Sequence, residues 1–508
     1  MAAQRAPARA GGWIIATTVV GSSIAFVDTT VVNVALPVIQ RQLHATGDEA
    51  QWVIEAFALV LAGCILLGGA LGDKFGRRGI YVAGTAIFGL SSIACGLATS
   101  VSWLIAARAI QGAGAALLIP GSLAILGACF EGGARARAIG TWSAFTAIAP
   151  AAGPVLGGWL VQHISWRWVF FINPPLVAAV IVMAYAHVPE SHAPSKGALD
   201  WPGSVAATLG LAGLVAGALE LPRLGGRSSL VWGALAFGVL FLLAFVAIEM
   251  RSASPMVPLG LFKDRVFAGT NLLTLLLYAA LSGALYFVPF NLIQVQHYSP
   301  TAAGAALVPS TVLLFLFSSR AERFMERLGA TGLLTVGPVV VACGFALFAR
   351  PFIGGSYWTT YFPAAVALGV GLGLTVAPLT TSVMNSVPDA NVGVASGVNN
   401  AVSRTAGVLG LALMAVVAAH IFGSTLDARA AALDLPAAAP QQLAREHIDL
   451  ATAAVPRGLP TEQARHVQRA IAESFVDSFR IVMLAGAALA IASALIGRLA
   501  LSKRHTAR

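Results

Sequence analysis

The chain is a succession of long apolar stretches separated by short polar segments. About 20 apolar residues cross the hydrocarbon core of a bilayer as an α-helix, and most of the stretches have that length or more. They predict fourteen transmembrane helices and therefore an all-α integral membrane protein. The predicted spans cover residues 13–37, 50–71, 80–99, 102–126, 136–161, 168–187, 202–221, 230–249, 266–290, 301–319, 332–350, 357–383, 392–420 and 475–500.

The segment 421–474 breaks this rhythm. It is rich in alanine, charged residues and prolines, and its part 462–473 has the pattern of a short amphipathic helix. The segment predicts an external loop between the last two spans. Its pattern fits a hairpin or flap with a function and a plain linker equally well.

A faint internal repeat divides the spans into two halves. Gly140 in the fifth span is followed by Gly153, and Gly397 in the thirteenth span is followed by Gly410 at the same spacing. Duplicated halves are typical of secondary transporters, although Gly/Ala-rich helices also match by chance. The repeat predicts two pseudo-symmetric six-helix bundles, separated by an inserted pair of helices. The predicted units are an N-terminal bundle at 1–190, the inserted two-helix segment at 191–265, and a C-terminal bundle at 266–508 that includes the external loop.

Composition supports a lipid environment. Of the 508 residues 57% are hydrophobic and only 10% are charged, whereas soluble proteins carry about 25% charged residues. The formal net charge of +10 fits basic residues gathered in cytoplasmic loops, and no basic run interleaved with aromatics indicates nucleic-acid binding. More of the Lys and Arg residues fall on the side of the termini. Both termini are therefore predicted to be cytoplasmic, in a multi-pass protein of the cell inner membrane.

No residue pattern predicts cofactor, metal or catalytic chemistry. The four cysteines, Cys64, Cys95, Cys129 and Cys343, are too far apart in sequence for a CxxC motif. The phosphate-binding loop of ATP-driven pumps is absent from the sequence. We expect no enzymatic activity, no bound cofactor and no metal.

Asp28, Glu55 and Arg108 are ionisable residues inside predicted spans, where a charge is costly. At a rise of 1.5 Å per residue, Asp28, Glu55 and Arg108 all fall in the outer half of the bilayer, so we expect them to share one polar cavity. A buried carboxylate favours its protonated form, and a nearby arginine favours the ionised form. Asp28 is therefore the predicted proton carrier, Arg108 tunes it, and Glu55 either tunes it or binds a cationic substrate. A static Asp28–Arg108 pair is the alternative.

Three stretches combine glycines with charged residues or prolines. In the loop 69–78 the glycines allow a tight turn, and Asp73 can pair with an arginine or cap a helix. The stretch 108–115 places an arginine and Gln111 before a run of small residues. In 150–158 two prolines each remove a helix hydrogen bond, and glycines four apart allow a neighbouring helix to approach closely.

These stretches resemble three motifs of the major facilitator superfamily: its conserved loop, its Arg-x-x-Gln-Gly-x-Gly proton-coupling motif, and its Gly-Pro-x-x-Gly-Gly antiporter motif. Residues 27–37 and 166–174 are similar to segments of its fourteen-span drug:proton antiporters. The resemblance implies a monomeric, proton-driven exporter of small lipophilic or cationic compounds that works by alternating access in the bilayer. The alternatives are an exporter dedicated to one metabolite or antibiotic, and a transport-dead sensor or scaffold. A periplasmic adaptor protein stays open as a partner.

The matched motifs assign residues to roles. Conformational or gating roles fall on Gly72, Asp73, Gly76, Arg77, Arg78, Pro150, Gly153, Pro154, Gly157 and Gly158. The predicted substrate contacts are polar or aromatic residues of spans expected to line the cavity: Asn33, Gln111, Trp142, Phe145, Tyr286, Asn291, Gln294 and Asn399. The second-half counterpart of the loop, residues 318–329, lacks the Gly and Asp pattern, and no latch role is predicted for it. Arg404, deep in the thirteenth span, has no partner that the sequence reveals.

Overall fold

The computed structural model describes residues 8–45, 47–192, 200–224, 228–252, 257–388, 391–433 and 458–501, with isolated positions between some of these ranges. Within these residues the regular structure is helical. In chain order the helices are α1 (Ala8–Gln42), α2 (Gly47–Phe75), α3 (Arg77–Gly96), α4 (Val101–Cys129), α5 (Gly132–His163), α6 (Trp168–Phe171), α7 (Asn173–His187), α8 (Trp201–Leu224), α9 (Ser229–Glu249), α10 (Arg265–Phe290), α11 (Pro300–Ala306), α12 (Val308–Ser318), α13 (Ala321–Phe348), α14 (Tyr357–Thr360), α15 (Phe362–Asn385), α16 (Val392–Ala431) and α17 (Thr461–Leu501). A 3₁₀ turn (Leu259–Lys263) precedes α10, and a π-helical turn (Asn291–Val295) follows it.

The prediction of an all-α membrane protein is confirmed. Among the described residues, twelve helices are long and apolar enough to cross a membrane, and every one of the fourteen predicted spans falls on a helix. The helices at the fifth and tenth predicted spans are not among the twelve. The tenth is broken into α11 and α12 at Leu307, where Pro309 follows and cannot donate a backbone hydrogen bond.

The helices that carry the last two predicted spans extend beyond them. Helix α16 runs eleven residues past position 420, and α17 begins fourteen residues before position 475. Both extensions lie in the segment that the sequence assigned to a separate external loop. The amphipathic stretch 462–473 is helical, but it is the first part of α17 rather than a separate element. Its apolar face, with Val467, Ala470 and Ile471, is buried against the rest of the protein. Of the segment between them, much of 434–457 lies outside the described residues.

Glycine contacts repeat between the two halves. In the first half, a Cβ placed on Gly114 of α4 would lie 2.6 Å from the backbone nitrogen of Phe88 in α3. In the second half, a Cβ on Gly371 of α15 would lie 2.6 Å from the backbone nitrogen of Val341 in α13. Helices that approach this closely require small residues at the contact. Equivalent glycines thus set equivalent helix pairs.

The repeat predicted from Gly153 and Gly410 follows the same rule. A Cβ on Gly153 of α5 would lie 2.9 Å from the backbone nitrogen of Val31 in α1, and one on Gly410 of α16 would lie 2.5 Å from the Cα of Ala279 in α10. Each glycine therefore seats the fifth helix of its half on the first. The expected pseudo-symmetry of the two bundles is present in the packing.

The inserted helices α8 and α9 form an antiparallel pair between the halves in sequence. Helix α8 packs on α2 and α16, while most of α9 faces away from the protein. Gly210, Gly213 and Gly238 line the contact within the pair, and a Cβ on Gly213 would lie 2.8 Å from the Cα of Gly238. The pair is therefore held by direct backbone contact.

We expect Gly238→Ala to destabilise the protein. A Cβ at this position would lie 2.5 Å from the backbone nitrogen of Leu214 and 2.9 Å from the carbonyl oxygen of Gly210, so α8 and α9 must separate. Overpacking of this kind costs about 1–3 kcal/mol and should lower the thermal unfolding midpoint of the purified protein in nanodiscs. The matched control is Gly233→Ala in the same helix, where a Cβ meets no atom within 4 Å. Its midpoint should be unchanged or slightly higher, and equal midpoints for both variants would contradict the assignment.

Candidate functional site

A network of buried polar side chains surrounds Asp28 in the first half. Its Oδ2 forms an ion pair with Nη1 of Arg108. Its Oδ1 accepts hydrogen bonds from Nε2 of Gln111 at 3.1 Å and from Nδ2 of Asn173 at 3.2 Å. Asn173 also donates to Oγ of Ser92 at 2.9 Å. Helices α1, α3, α4 and α7 therefore meet at one carboxylate, which is 1% exposed.

Arg108 bonds three acceptors in this network. Its Nη1 also donates to Oε1 of Gln111 at 2.7 Å, and its Nε donates to the carbonyl oxygen of Val53 in α2 at 3.0 Å. The guanidinium lies over the ring of Phe57, 4.3 Å from the centroid. A buried charge is tolerated only when it is paired and its remaining donors are bonded. Asp28 and Arg108 meet that condition together, inside the protein and away from lipid.

Glu55 is buried in α2, two residues after Val53. Helical residues two apart point to different sides. That Glu55 shares one site with Asp28 and Arg108 stays a prediction.

Helix α5 binds α1 through a carbonyl group that a proline leaves free. Pro154 has no N–H, so the carbonyl of Pro150 loses its partner one turn later. Thr30 of α1 donates its hydroxyl to that carbonyl at 2.8 Å. The prolines of the motif thus create an acceptor, and α1 supplies the donor two residues after Asp28.

The glycines of the same motif allow the contact. A Cβ on Gly157 would lie 2.8 Å from Cγ2 of Val31 and 3.0 Å from its carbonyl oxygen, and Gly153 meets the same turn of α1. Gly158 differs, because a Cβ there meets no atom within 4 Å. Gly153 and Gly157 are packing residues against the turn of α1 next to Asp28.

A second buried carboxylate joins the two halves where α2 ends and α3 begins, at what we call the Asp73 face. Asp73 pairs with Arg77 at 2.8 Å. It also accepts a hydrogen bond at 2.9 Å from the backbone nitrogen of Val394, in the first turn of α16. A carboxylate at a helix N-terminus satisfies free N–H groups and the helix dipole. A side chain at Gly393 would collide with this carboxylate.

The rest of the loop shapes the turn. Gly76 has a φ of 114°, a conformation that favours glycine. Glu190 accepts hydrogen bonds from the backbone nitrogens of Arg78 and Gly79, both at 3.0 Å, and its carboxylate lies 3.7 Å from the Arg78 guanidinium. A Cβ on Gly72 meets no atom within 4 Å, so its small size is not required by this packing.

Two further contacts at this face escaped the sequence analysis. Arg137 of α5 forms a two-pronged ion pair with Glu322 of α13, at 2.6 and 3.0 Å. Arg135 donates to Oδ1 of Asn385 in α15 at 3.1 Å. Glu322 lies in the segment 318–329, for which no latch role was predicted, and it contacts the first half there. Sequence offers no local signal for this contact, because Glu322 is one of two acids among three arginines in the segment.

A central cavity of about 580 Å³ lies between the halves. Its volume falls in the range of drug-sized ligand pockets. Of the eight predicted substrate contacts, Trp142 and Asn399 line it. Asn399 donates to Oγ1 of Thr274 at 2.8 Å, and Nε1 of Trp142 donates to Oγ of Ser22 at 3.1 Å.

The other six are not among the residues that line this cavity, and their role as substrate contacts stays a prediction. Gln111 belongs to the Asp28 network, and Phe145 packs edge-to-face on Phe315, with ring centroids 5.4 Å apart. The positions of the remaining four follow from their exposure and contacts: Asn33 and Tyr286 are exposed, Asn291 is buried and accepts from Tyr361, and Gln294 lines a separate cavity near the start of α17. The sequence predicts the position of a residue along a helix more reliably than the direction in which its side chain points.

Two pseudo-symmetric helical bundles around a central cavity, with an ion-pair network inside one of them, define a secondary membrane transporter. Residues 18–411 match the Major Facilitator Superfamily, and the chain belongs to this family. It is a multi-pass membrane transporter rather than an enzyme.

Curated relatives match most of the length of this chain. The chain is 31% identical over 486 residues to the tetracenomycin C resistance and export protein of Streptomyces glaucescens, covering 94% of this chain and 89% of that protein. It is also 31% identical over 493 residues to the multidrug resistance protein Stp of Mycobacterium tuberculosis, covering 93% and 88%. Among solved structures, the human organic anion transporter MFSD10 superposes with a TM-score of 0.61 at 14% identity, covering 93% of this chain and 99% of that chain. This last likeness concerns the fold alone.

We expect Asp73→Asn to favour separation of the halves at the Asp73 face. The variant loses the charge that pairs with Arg77 and faces the first turn of α16, and hydrogen bonds to charged groups contribute about 1.5–3 kcal/mol. The ratio of open to closed conformers at this face should rise about tenfold or more. The measurement is the distance distribution between spin labels at positions 75 and 328, both exposed, in a cysteine-free background. Arg137→Gln is the control, and it should shift the ratio less because Arg137 is exposed.

Proposed function

We propose that this protein exports small, mostly apolar compounds in exchange for protons, by alternating access. The observation that carries the proposal is the Asp28 network, a carboxylate and an arginine buried together inside membrane-spanning helices. Ionisable residues inside membrane segments mark proton relays in transporters. The names of relatives support the direction of transport, since one is a resistance and export protein and another a multidrug resistance protein.

Protonation of Asp28 would neutralise the charge that holds Arg108. Arg108 would then be an unpaired buried cation, and the bonds from Gln111 and Asn173 to the carboxylate would weaken. An uncompensated charge in low dielectric destabilises the arrangement that buries it. The protonated protein therefore favours a different packing of α1, α4 and α7, and release of the proton restores the network.

Helix α1 connects this event to the cavity. Phe26 lines the cavity and lies two residues before Asp28 on α1, and Thr30 on the same helix bonds α5, which contributes Trp142 to the cavity wall. A shift of α1 at Asp28 would therefore move the walls of the cavity. Alternating access then requires the contacts at the Asp73 face to break as the halves rock.

The sidedness of the proposal follows the distribution of Lys and Arg. It places both termini and the Asp73 face in the cytoplasm and the protein in the inner membrane. The working unit is a monomer, the proton gradient supplies the energy without a cofactor, and an adaptor in the periplasm is not required by the mechanism.

Asp28→Asn should abolish the response to the proton gradient. Asparagine cannot release a proton, so export driven by an imposed pH gradient should fall at least about tenfold, the effect of one 1.4 kcal/mol barrier difference. The measurement is substrate movement in proteoliposomes with and without the gradient. Asp477→Asn, which removes an acid paired with Arg429 in the second half, is the control and should retain export. Wild-type rates in Asp28→Asn would show that Asp28 is not the coupling site.

The breadth of the substrate range is a separate prediction. We expect an overexpressing strain to resist several unrelated compounds, because the cavity presents a mostly apolar wall with few polar anchors. Tetracenomycin C, lincomycin and puromycin, taken from the names of relatives, form the first panel. Resistance to a single compound would favour an exporter dedicated to that compound, and no resistance together with no gradient-driven movement would favour a sensor or scaffold.

A further inference from the structure

Arg404 presents a cation to the central cavity. It lies in the middle of α16, on the same face as the cavity-lining residues Asn400, Gly407 and Val408. Positions three and four apart share one face of a helix, so the whole row points toward the space between the halves. The side chain is partly exposed, and the cavity is what exposes it.

The guanidinium has no ion pair or hydrogen bond among the residues that the structure describes. Its Nε is buried without a hydrogen-bond acceptor. An aromatic ring faces the positive charge: the centroid of the Phe26 ring in α1 is 5.8 Å from the guanidinium carbon. That distance is at the outer limit of a cation–π contact. Arg404 is therefore a cation at the cavity wall with no carboxylate partner among the described residues.

Arg108 shows how this fold satisfies a structural arginine. That side chain has a carboxylate, an amide oxygen and a backbone carbonyl as acceptors. Arg404 has none of the three, although both arginines lie deep in membrane-spanning helices. A purely structural role would leave the charge of Arg404 uncompensated at a high cost.

The cavity wall offers no internal counter-ion. No Asp or Glu is among the residues that line it in the described part of the chain. The other polar groups on the wall are hydroxyls and amides, and one of them, the Ser143 hydroxyl, is also buried without a partner. Trp142 and Tyr278 add aromatic surface. The cavity thus combines one cation, a free hydroxyl and aromatic walls.

We infer that the central cavity binds amphipathic aromatic compounds through an anionic group, a carboxylate or its equivalent, which pairs with Arg404. A guanidinium donates two parallel hydrogen bonds to a carboxylate, and the rings of the ligand would lie on the aromatic wall. The same charge disfavours cationic compounds. The inference rests on the proposed transport function and narrows its substrate class, away from the cationic compounds that the sequence suggested.

The test is equilibrium binding to the purified full-length protein in nanodiscs, with no pH gradient. The probes share one scaffold and differ in charge: 4-(1-pyrenyl)butyrate, its primary amide, and 4-(1-pyrenyl)butylamine. We expect the carboxylate to bind about tenfold or more tightly than the amide, since a charge-assisted pair of hydrogen bonds contributes a factor of about 10–100, and the amine to bind weakest. Arg404→Gln should remove the preference for the carboxylate while leaving the affinity for the amide within about threefold.

Two controls separate this result from misfolding and from general charge loss. Arg404→Lys keeps the cation and should retain a preference for the carboxylate, reduced because lysine cannot form the two-pronged pair. Arg320→Gln removes an exposed arginine outside the cavity and should bind all three probes as wild type does. An equal affinity of wild-type protein for the three probes, or a carboxylate preference that survives in Arg404→Gln, would overturn the inference.

The outcome is independent of proton coupling. Arg404-dependent binding of the carboxylate without gradient-driven export would leave the inference standing and refute the proposed function. If Arg404→Gln exports all three compounds under a gradient as wild type does, the proposed function stands and the inference about Arg404 is refuted.

Discussion

An ion pair buried among membrane-spanning helices, Asp28 with Arg108, governs the first half of this transporter. Each charge stabilises the other, because an isolated charge in low dielectric costs several kcal/mol. Their remaining donors and acceptors recruit Gln111, Asn173 and the carbonyl of Val53. With Ser92 of α3, which bonds Asn173, residues of five helices join this network. In the proposed mechanism the position of α1 depends on the charge of Asp28, and α1 also lines the cavity through Phe26.

The two halves share their packing but differ in electrostatics. Equivalent glycines seat α4 on α3 and α15 on α13, and the fifth helix of each half on the first. Among the described residues, the buried Asp28–Arg108 pair lies in the first half, whereas the Arg429–Asp477 pair of the second half is partly exposed. The second half offers Arg404 to the cavity with the Phe26 ring, and no carboxylate, as its partner in the described part of the chain. Because of this difference, the first half is suited to bind a proton at Asp28, and the second half is suited to bind the charged group of a ligand at Arg404.

The sequence was sufficient to predict which stretches of the chain form helices. The residues 69–78 lie at the junction of α2 and α3, and the motif 150–158 lies in α5. Sequence does not fix direction around a helix: Asn33 and Phe145, for example, are not among the residues that line the cavity. Sequence failed where a partner is remote: nothing near Glu322 announces its bond to Arg137, 185 residues away. The extended end of α16 was missed, and 462–473 was predicted as a short amphipathic helix but not as the first part of α17.

In the proposed mechanism, backbone groups as well as charges connect Asp28 to the contacts between the two halves. Pro154 frees the carbonyl of Pro150, and Thr30 satisfies it, so α5 follows α1 at the turn that carries Asp28. At the other end of α5, Arg137 holds Glu322 across the halves. In the proposed mechanism, α5 thus connects Asp28, the proposed proton site, to a contact that breaks when the halves rock. An exposed ion pair contributes only about 0.2–1 kcal/mol, which makes it a suitable closure for a contact that forms and breaks in every transport cycle. Asp73 at the N-terminus of α16 supplies the stronger part of the closure, because its charge is buried and meets both an arginine and a free backbone N–H.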